Sequence, residues 1–305
     1  MRHTTLKPKQ SLNWLGRVIL QLLCGRVSKL GPRGEAALAR LASGVLWCAQ
    51  RQKRALMLEL MRQALGDSYS QAQLQHLCRQ AYRQMGLTLT EILRLAETSP
   101  AELAQQTPLE GEEHLRQARA AGRGVILITG HFGNWELLGA RLAHFCGTDD
   151  FYVIGQPQRD QALTRLIDSI RHHHGLQVIP RGSAAREVLR ALKKGGVVGI
   201  LMDVDVKGNG IFVDFLGRPA STTTGPAAYA LRTGAAVFLT FDLRQPDGRH
   251  VCHVVPVELT QTGRYEQDLQ DNTARFNQLI AAQVQAHPEQ WLWLPNRWRS
   301  TPPVS

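Results

Sequence analysis

The sequence predicts an α/β fold, a mixed and mostly parallel sheet flanked by helices, with an N-terminal helical layer ahead of it. Three observations carry this expectation. From Leu109 onward, short apolar runs rich in β-branched residues alternate with amphipathic stretches, the pattern of successive βαβ units. Late in the chain, Ala235 to Leu243 and His250 to Leu259 flank Gln245-Pro-Asp-Gly248, a hairpin signal that makes the sheet mixed. Before Leu109 the apolar residues recur at helical spacing instead. A chain of 305 residues can bury a substantial core.

Met1 to Gln10 is basic and polar. Leu12, Leu15, Ile19, Leu22, Leu23, Val27 and Leu30 then mark an amphipathic helix. Its longest charge-free run, Val18 to Gly25, is too short to cross a bilayer, which takes about 20 apolar residues. No small-residue cleavage site follows, so a signal peptide is not expected. A helix lying in the membrane interface suits the pattern. Gly31-Pro-Arg-Gly34 breaks the chain before a second helix, carrying Leu38, Leu41, Val45 and Leu46. A third runs from about Lys53 to Leu65, and a fourth starts after Ser70 and carries Leu74, Leu77, Ala81, Met85, Leu89 and Ile92. Ser99-Pro100 and Thr107-Pro108 punctuate the passage onward, giving an N-terminal region of 1–100 and an α/β region of 101–305.

In the second region Val125 to Thr129 reads as a buried strand, and Glu136 to Ala143 as the helix after it. Phe151 to Ile154 is a strand, Gln161 to His174 a helix stopped by Gly175, and Leu176 to Ile179 a strand. Ser183 caps a helix that runs to Lys194, ended by Gly195-Gly196. Val197 to Met202 is a strand, and a Gly-rich loop with Ile211-Phe-Val follows. A helix starts after Thr224-Gly-Pro226, and the last runs from about Asp268 to Gln285.

The formal charge of +11 is regional: residues 1–100 hold 15 Lys/Arg against 5 Asp/Glu, and the remainder 21 against 20. Because these basic residues interleave with Leu, Val, Ile and Trp, with no zinc-finger or RNP-like pattern, an anionic membrane surface is the expected partner rather than nucleic acid. The five cysteines are scattered, with no Cys-x-x-Cys, which speaks against a disulfide framework and against zinc.

The candidate chemistry sits at Gly130-His131-Phe-Gly-Asn134-Trp-Glu136. A histidine just past a strand's C-terminal end lies at the edge where open α/β sheets bind ligands. Glu136 in the next helical turn is expected to accept from one imidazole nitrogen, leaving the other as a base. No Gly-x-Ser-x-Gly elbow accompanies it, so the base is expected to activate a substrate hydroxyl directly. The N–H groups around Phe132–Asn134 are candidates for holding a developing oxyanion. Arg181, just past a strand end, is a weaker candidate for substrate contact, as is Arg159. Asp203 and Asp205 also end a strand, where a close acid pair needs water or a partner. His172-His173-His174 is not read as a metal site, since helical neighbours point about 100° apart; no metal and no cofactor are expected. Trp291, Trp293 and Trp298 are read either as interfacial anchors or as core.

Gly130-His-Phe-Gly-Asn-Trp-Glu-Leu137 resembles the His-x4-Asp/Glu block of the bacterial late acyltransferases of lipid A biosynthesis, within the lysophospholipid acyltransferase superfamily. Further blocks agree in order: Arg171-His-His-His-Gly175, Leu189-Arg-Ala-Leu-Lys-Lys-Gly195 with Gly199-Ile-Leu-Met-Asp203-Val-Asp205, Phe215-Leu-Gly217-Arg-Pro-Ala220, and Pro288-Glu-Gln-Trp-Leu-Trp293. The resemblance runs from about Leu109 to Arg299. It implies a glycerol-3-phosphate acyltransferase-like fold and an acyl carrier protein or acyl-CoA thioester as donor. It implies a lipid hydroxyl as acceptor, most often on a lipid A precursor, and a place on the cytoplasmic face of the inner membrane. A phospholipid or glycolipid acceptor stays open, as does a non-enzymatic basic protein that binds anionic lipid or nucleic acid. His131 and Glu136 are then the expected catalytic pair. Asn134, Arg171, Arg181, Asp203, Asp205 and Gly217 are the expected substrate contacts, Arg171 through a phosphate and Gly217 through the loop it shapes. The chain departs from the family at Val204, in the middle of the usual Asp-Gln-Asp, and in lacking a membrane-spanning N-terminal stretch.

Overall fold

The computed structural model describes residues 26–303 except 67, 156–159, 209 and 295. The amphipathic stretch from Leu12, up to residue 25, and Arg159 therefore fall outside the described residues. After a 3-10 turn (Val27–Leu30) come α1 (Gly31–Ala49), α2 (Arg51–Leu65) and α3 (Gln71–Leu95). The start of α3 is fixed by a capping box between Ser70 and Gln73, which satisfies two backbone donors that a helix otherwise leaves unpaired. Among the described residues, no helix is long and apolar enough to cross a membrane.

Helix α4 (Pro100–Gln106) then leads into β1 (Leu109–Glu110), α5 (Glu112–Ala120), β2 (Val125–Thr129), α6 (Trp135–Cys146), β3 (Phe151–Gly155), α7 (Gln161–His173) and β4 (Gln177–Pro180). The chain continues with α8 (Ala184–Lys193), β5 (Val197–Leu201), β6 (Ile211–Phe215), β7 (Arg218–Thr222), α9 (Gly225–Thr233), β8 (Ala236–Arg244), β9 (His250–Val257) and α10 (Tyr265–Ala286). Seven strands form one sheet in the order β1-β9-β8-β2-β5-β3-β4, and β6 and β7 form a separate hairpin. Every pairing in the large sheet is parallel except β8 with β9, so the sheet is mixed as expected. The hairpin β6–β7 stands where the sequence suggests a Gly-rich loop around Ile211, and the short β1 adds a strand at the sheet edge.

Side chains along a strand alternate between faces, and β2 shows the consequence. Ile126 and Ile128 enter one apolar cluster with α2, α8, α9 and α10, whereas Val125 and Leu127 enter the other with α4, α5 and α6. Both faces are covered, which is why β2 is buried along its whole length. Helix α3 belongs to both layers: Leu74 to Tyr82 join the first cluster and Leu95 the second. Its middle therefore crosses the sheet edge where β2 ends. Trp291, Trp293 and Trp298 are all buried, their rings packed on one another and, for Trp291 and Trp298, on Phe215. They are core residues, and the interfacial alternative is set aside.

Candidate active site

Strands β2 and β5 are paired neighbours, Thr129 opposite Leu201. His131 and Asp203 each stand two residues beyond that pair, so the register alone brings them together. His131 Nδ1 lies 2.8 Å from Asp203 Oδ1, and the His131 backbone N–H donates to Asp203 Oδ2 at 2.7 Å. Trp291 Nε1 donates to the same Oδ2 at 2.8 Å. Burial alone would push the imidazole pKa down, but the Asp203 carboxylate outweighs it and the His131 pKa ends above its ordinary value. Burial likewise pushes Asp203 up, yet His131 and Trp291 hold its carboxyl below the usual range. With Nδ1 engaged, Nε2 is the nitrogen left for chemistry, and the side chain is 20% exposed.

The expected partner of the imidazole was Glu136, and the structure corrects this. Glu136 accepts from Arg171 through both oxygens, Nε to Oε2 at 2.9 Å and Nη2 to Oε1 at 2.6 Å, while Trp135 Nε1 adds a contact at 3.2 Å. A bidentate guanidinium fork holds a carboxylate more firmly than one imidazole can, so the first-turn acid of α6 faces the basic end of α7. Arg171 Nη1 also approaches Asp168, at 3.5 Å. The guanidinium expected to meet a phosphate is thus engaged with carboxylates. Glu136 acts on His131 only through space, adding to the upward push on its pKa.

The turn between β2 and α6 is tightly built. Gly133 has φ +57°, and a Cβ there would sit 2.2 Å from the Asp242 carbonyl oxygen, so only glycine fits. The Phe132 N–H donates to the Gly130 carbonyl, Gly133 to Gln290 and Asn134 to the Asp242 carboxylate. These are the groups expected to cradle an oxyanion, and all three are engaged internally. Asn134 is fully buried; its side chain caps α6 by accepting from Leu137 N and donates to Glu91. It is therefore scaffold rather than the expected substrate contact.

The remaining expected residues lie elsewhere. Asp205 accepts from the backbone and hydroxyl of Ser300 and from Lys207 N, fastening the C-terminal segment. Gly217, with φ +74°, makes the turn of the β6–β7 hairpin. Arg181 is exposed and extends the β3–β4 edge through its N–H to the Gly155 carbonyl. The three histidines diverge: His172 meets the Asp168 carbonyl, and His174 lies between His144 and the Leu95 carbonyl.

Two apolar pockets flank Trp135, whose ring packs edge-on to His131 at 5.0 Å between centroids. One has Glu136 and Arg171 beside Leu127, Leu142 and Phe151. The other, with a volume of about 270 Å³, runs along α3 past Ala81, Met85, Leu89 and Ile92, with Leu46 and Trp291 opposite. Ala81 to Ile92 spans roughly 16 Å of helix at the α-helical rise.

Residues 2–300 match the family model described as bacterial lipid A biosynthesis acyltransferase. The lipid A biosynthesis lauroyltransferase of Escherichia coli is 25% identical over 300 residues, 97% of this chain and 94% of the relative. The lipid A biosynthesis palmitoleoyltransferase of the same organism is 24% identical, with the same coverage. A phosphatidylinositol mannoside acyltransferase of Mycobacterium tuberculosis is 32% identical over 214 residues, 68% of this chain and 66% of the relative. The chain thus spans just under two thirds of that mycobacterial protein. On the strength of the near full-length match, the chain belongs to the bacterial lipid A biosynthesis acyltransferase family.

Proposed function

We propose that the protein is a membrane-associated O-acyltransferase that moves a fatty acyl chain from a thioester, of acyl carrier protein or coenzyme A, to a hydroxyl of a lipid A precursor. The observation that carries this reading is an imidazole tied through Nδ1 to a buried carboxylate beside an apolar pocket long enough for hydrocarbon. Nε2 of His131 takes the acceptor's hydroxyl proton as the oxygen attacks the thioester carbonyl. Asp203 fixes the tautomer and stabilises the imidazolium. When the tetrahedral intermediate collapses, the carbon–sulfur bond breaks and the thiolate takes the proton back from Nε2. With the turn's own N–H groups engaged, those of Trp135 and Glu136 at the start of α6 are left to meet the oxyanion, where the helix dipole favours negative charge. The pocket along α3 takes the acyl chain. At about 270 Å³ it exceeds the 150 Å³ apolar cavity that suffices for benzene.

Leu41 and Val45 on α1 are more than half exposed, on a helix that also carries Arg33 and Arg40. Together with the net positive charge of residues 1–100, this supports a peripheral seat on an anionic leaflet at the cytoplasmic face, with 101–305 as the catalytic region. A glycolipid acceptor is the second reading, supported by the higher identity to the phosphatidylinositol mannoside acyltransferases.

Lipid mass spectrometry of cells with and without the gene, complemented by wild type or His131→Ala, tests both. A lipid that gains one acyl chain only with wild type identifies the acceptor. Equal acylation with the folded His131→Ala variant would overturn the mechanism, and an unchanged lipid profile with membrane binding intact would favour a non-enzymatic lipid-binding protein.

A further inference from the structure

Beneath the catalytic turn lies a second buried cluster that takes no part in the proposed proton transfer, although its Thr88 and Gln84 also line the pocket along α3. Asp242 and Arg244 come from β8, His250 from β9, and Glu91, Thr88 and Gln84 from α3. Glu91 accepts from Arg244 Nε at 3.0 Å and Nη2 at 2.5 Å, and its Oε1 is 3.3 Å from His250 Nε2. His250 Nδ1 is 2.7 Å from Asp242 Oδ2. Arg244 Nη1 donates to Gln84. Arg244, His250 and Asp242 are at most 6% exposed, so no substrate reaches them. Two cations and two carboxylates balance there, an arrangement whose desolvation cost argues for a purpose beyond stability.

Several of the cluster's remaining hydrogen bonds converge on one place. Asp242 accepts the Asn134 N–H at 2.8 Å, Glu91 accepts from the Asn134 side chain at 3.0 Å, and the Thr88 hydroxyl donates to the Gly133 carbonyl at 3.1 Å while accepting from Arg244. Gln290 joins from the far side, exchanging hydrogen bonds with the Arg244 backbone and accepting the Gly133 N–H. Gly133 and Asn134 immediately follow His131 and Phe132, so their placement fixes the arc on which the imidazole sits.

We propose that the Glu91–Arg244–His250–Asp242 cluster is a positioning device that holds the His131 turn against α3, with Thr88 and Asp242 as its positioning residues. The inference rests on the acyltransferase reading for its kinetic test alone. Thr88→Val keeps the shape and deletes the hydroxyl, Thr88→Ser keeps the hydroxyl, and Asp242→Asn removes one acceptor and the charge. Steady-state kinetics with an acyl thioester and a lipid acceptor are expected to show kcat about tenfold lower for Thr88→Val and about a hundredfold lower for Asp242→Asn. KM for the thioester should stay within about threefold for Asp242→Asn, which lies outside the pocket along α3, and Thr88→Ser should recover most of the kcat that Thr88→Val loses, because it restores the hydroxyl that holds the turn. Folded variants that keep kcat within about twofold of wild type would overturn the proposal, as would a Thr88→Ser loss equal to that of Thr88→Val. Failure of both variants to fold, with Thr88→Ser folded, would mark the cluster as fold support only and equally overturn it.

A readout independent of turnover separates this from the function itself. The downfield proton resonance of His131 Nδ1–H, identified by its loss in His131→Ala, should move in Thr88→Val and not in Thr88→Ser. If wild type transfers no acyl group but the resonance moves, the acyltransferase reading fails and the positioning role stands. A resonance unmoved by Thr88→Val sinks the positioning role.

Discussion

Two histidine–aspartate pairs grip the same turn. His131 Nδ1 lies 2.8 Å from Asp203 and His250 Nδ1 2.7 Å from Asp242, and each carboxylate also accepts a backbone N–H of the turn, from His131 and from Asn134. In imidazole–carboxylate distance the pairs are near copies, though Asp203 meets ring and backbone with different oxygens and Asp242 with one. Their surroundings differ. Among the described residues no second carboxylate holds the other nitrogen of His131, and its ring packs on Trp135, which lines both pockets. The second nitrogen of His250 faces Glu91, and burial, which alone would lower the pKa, is overridden by Asp242 and Glu91, leaving it pushed up to about 9. At neutral pH His250 is a locked cation. A short imidazole–carboxylate contact does not make a base; a free nitrogen with access to a substrate does.

The sharpest way to break that comparison is to neutralise the carboxylate of the first pair. Asp203→Asn keeps the shape but loses the charge that stabilises the imidazolium, and kcat is expected to fall about a thousandfold. The pH profile sharpens it further. Because Asp203 raises the His131 pKa, the basic form in wild type accumulates only above the ordinary imidazole value, and the acid limb of kcat should lie on that side. In Asp203→Asn burial acts unopposed by its charge, and the limb should move to lower pH. An unmoved limb would mean that another group titrates in it.

Arg171→Ala asks whether Glu136 belongs to the catalytic pair after all. Removing the guanidinium leaves a carboxylate that is 8% exposed without its bidentate partner, and stability to urea should drop by about 3 kcal/mol. A variant with unchanged stability and a rate as low as that of Asp203→Asn would return Glu136 to the role of His131's orienting acid.

Most of the fold was legible because its signals are local. The Val125–Thr129 strand, the hairpin around Gln245-Pro-Asp-Gly248 and the amphipathic α10 all follow from spacing within a dozen residues. His131 was legible for the same reason, as a histidine between glycines at a strand end. Its partner was not. Asp203 is 72 residues away, and only the adjacency of β2 and β5 brings it into register. The local acid Glu136 competed for the role, and nothing within the His-x4-Glu spacing announces the arginine 35 residues on that takes it. The sequence leaves Trp291 equally an anchor or core, because a donor to Asp203 across 88 residues leaves no periodic trace.

The second pair makes its own prediction about stability. A histidine whose folded pKa is about 9, against about 6.5 unfolded, contributes stability that is fully present below the unfolded value. That contribution, on the order of 3 kcal/mol, is lost as pH rises through the folded value. The melting temperature of wild type should therefore fall between about pH 7 and pH 10. Cysteine ionisation in the unfolded chain acts in the same window, so the quantity to follow is wild type minus His250→Gln. That difference should shrink as pH rises. Parallel curves would show that His250 is not the locked cation, and the contrast with His131 would collapse to one of access alone.

The smallest expected effect separates the two carboxylates themselves. Asp203 Oδ2 accepts from an indole as well as from the backbone, whereas the corresponding second donor to Asp242 Oδ2 is His250 itself. The indole N–H therefore tunes Asp203 independently of the imidazole. Trp291→Phe keeps an aromatic ring against Phe215 and Trp293 while deleting the donor. A hydrogen bond to a charged group contributes about 1.5 kcal/mol or more, so kcat should drop roughly tenfold. The lost donor also makes the carboxylate harder to ionise, so Asp203 should titrate at a higher pH than in wild type. Readout by 13C carboxyl NMR would follow that titration directly. If Trp291→Phe lowers kcat with the Asp203 titration unmoved, the tryptophan acts through packing on the Phe132–Trp291 bridge rather than through the carboxylate.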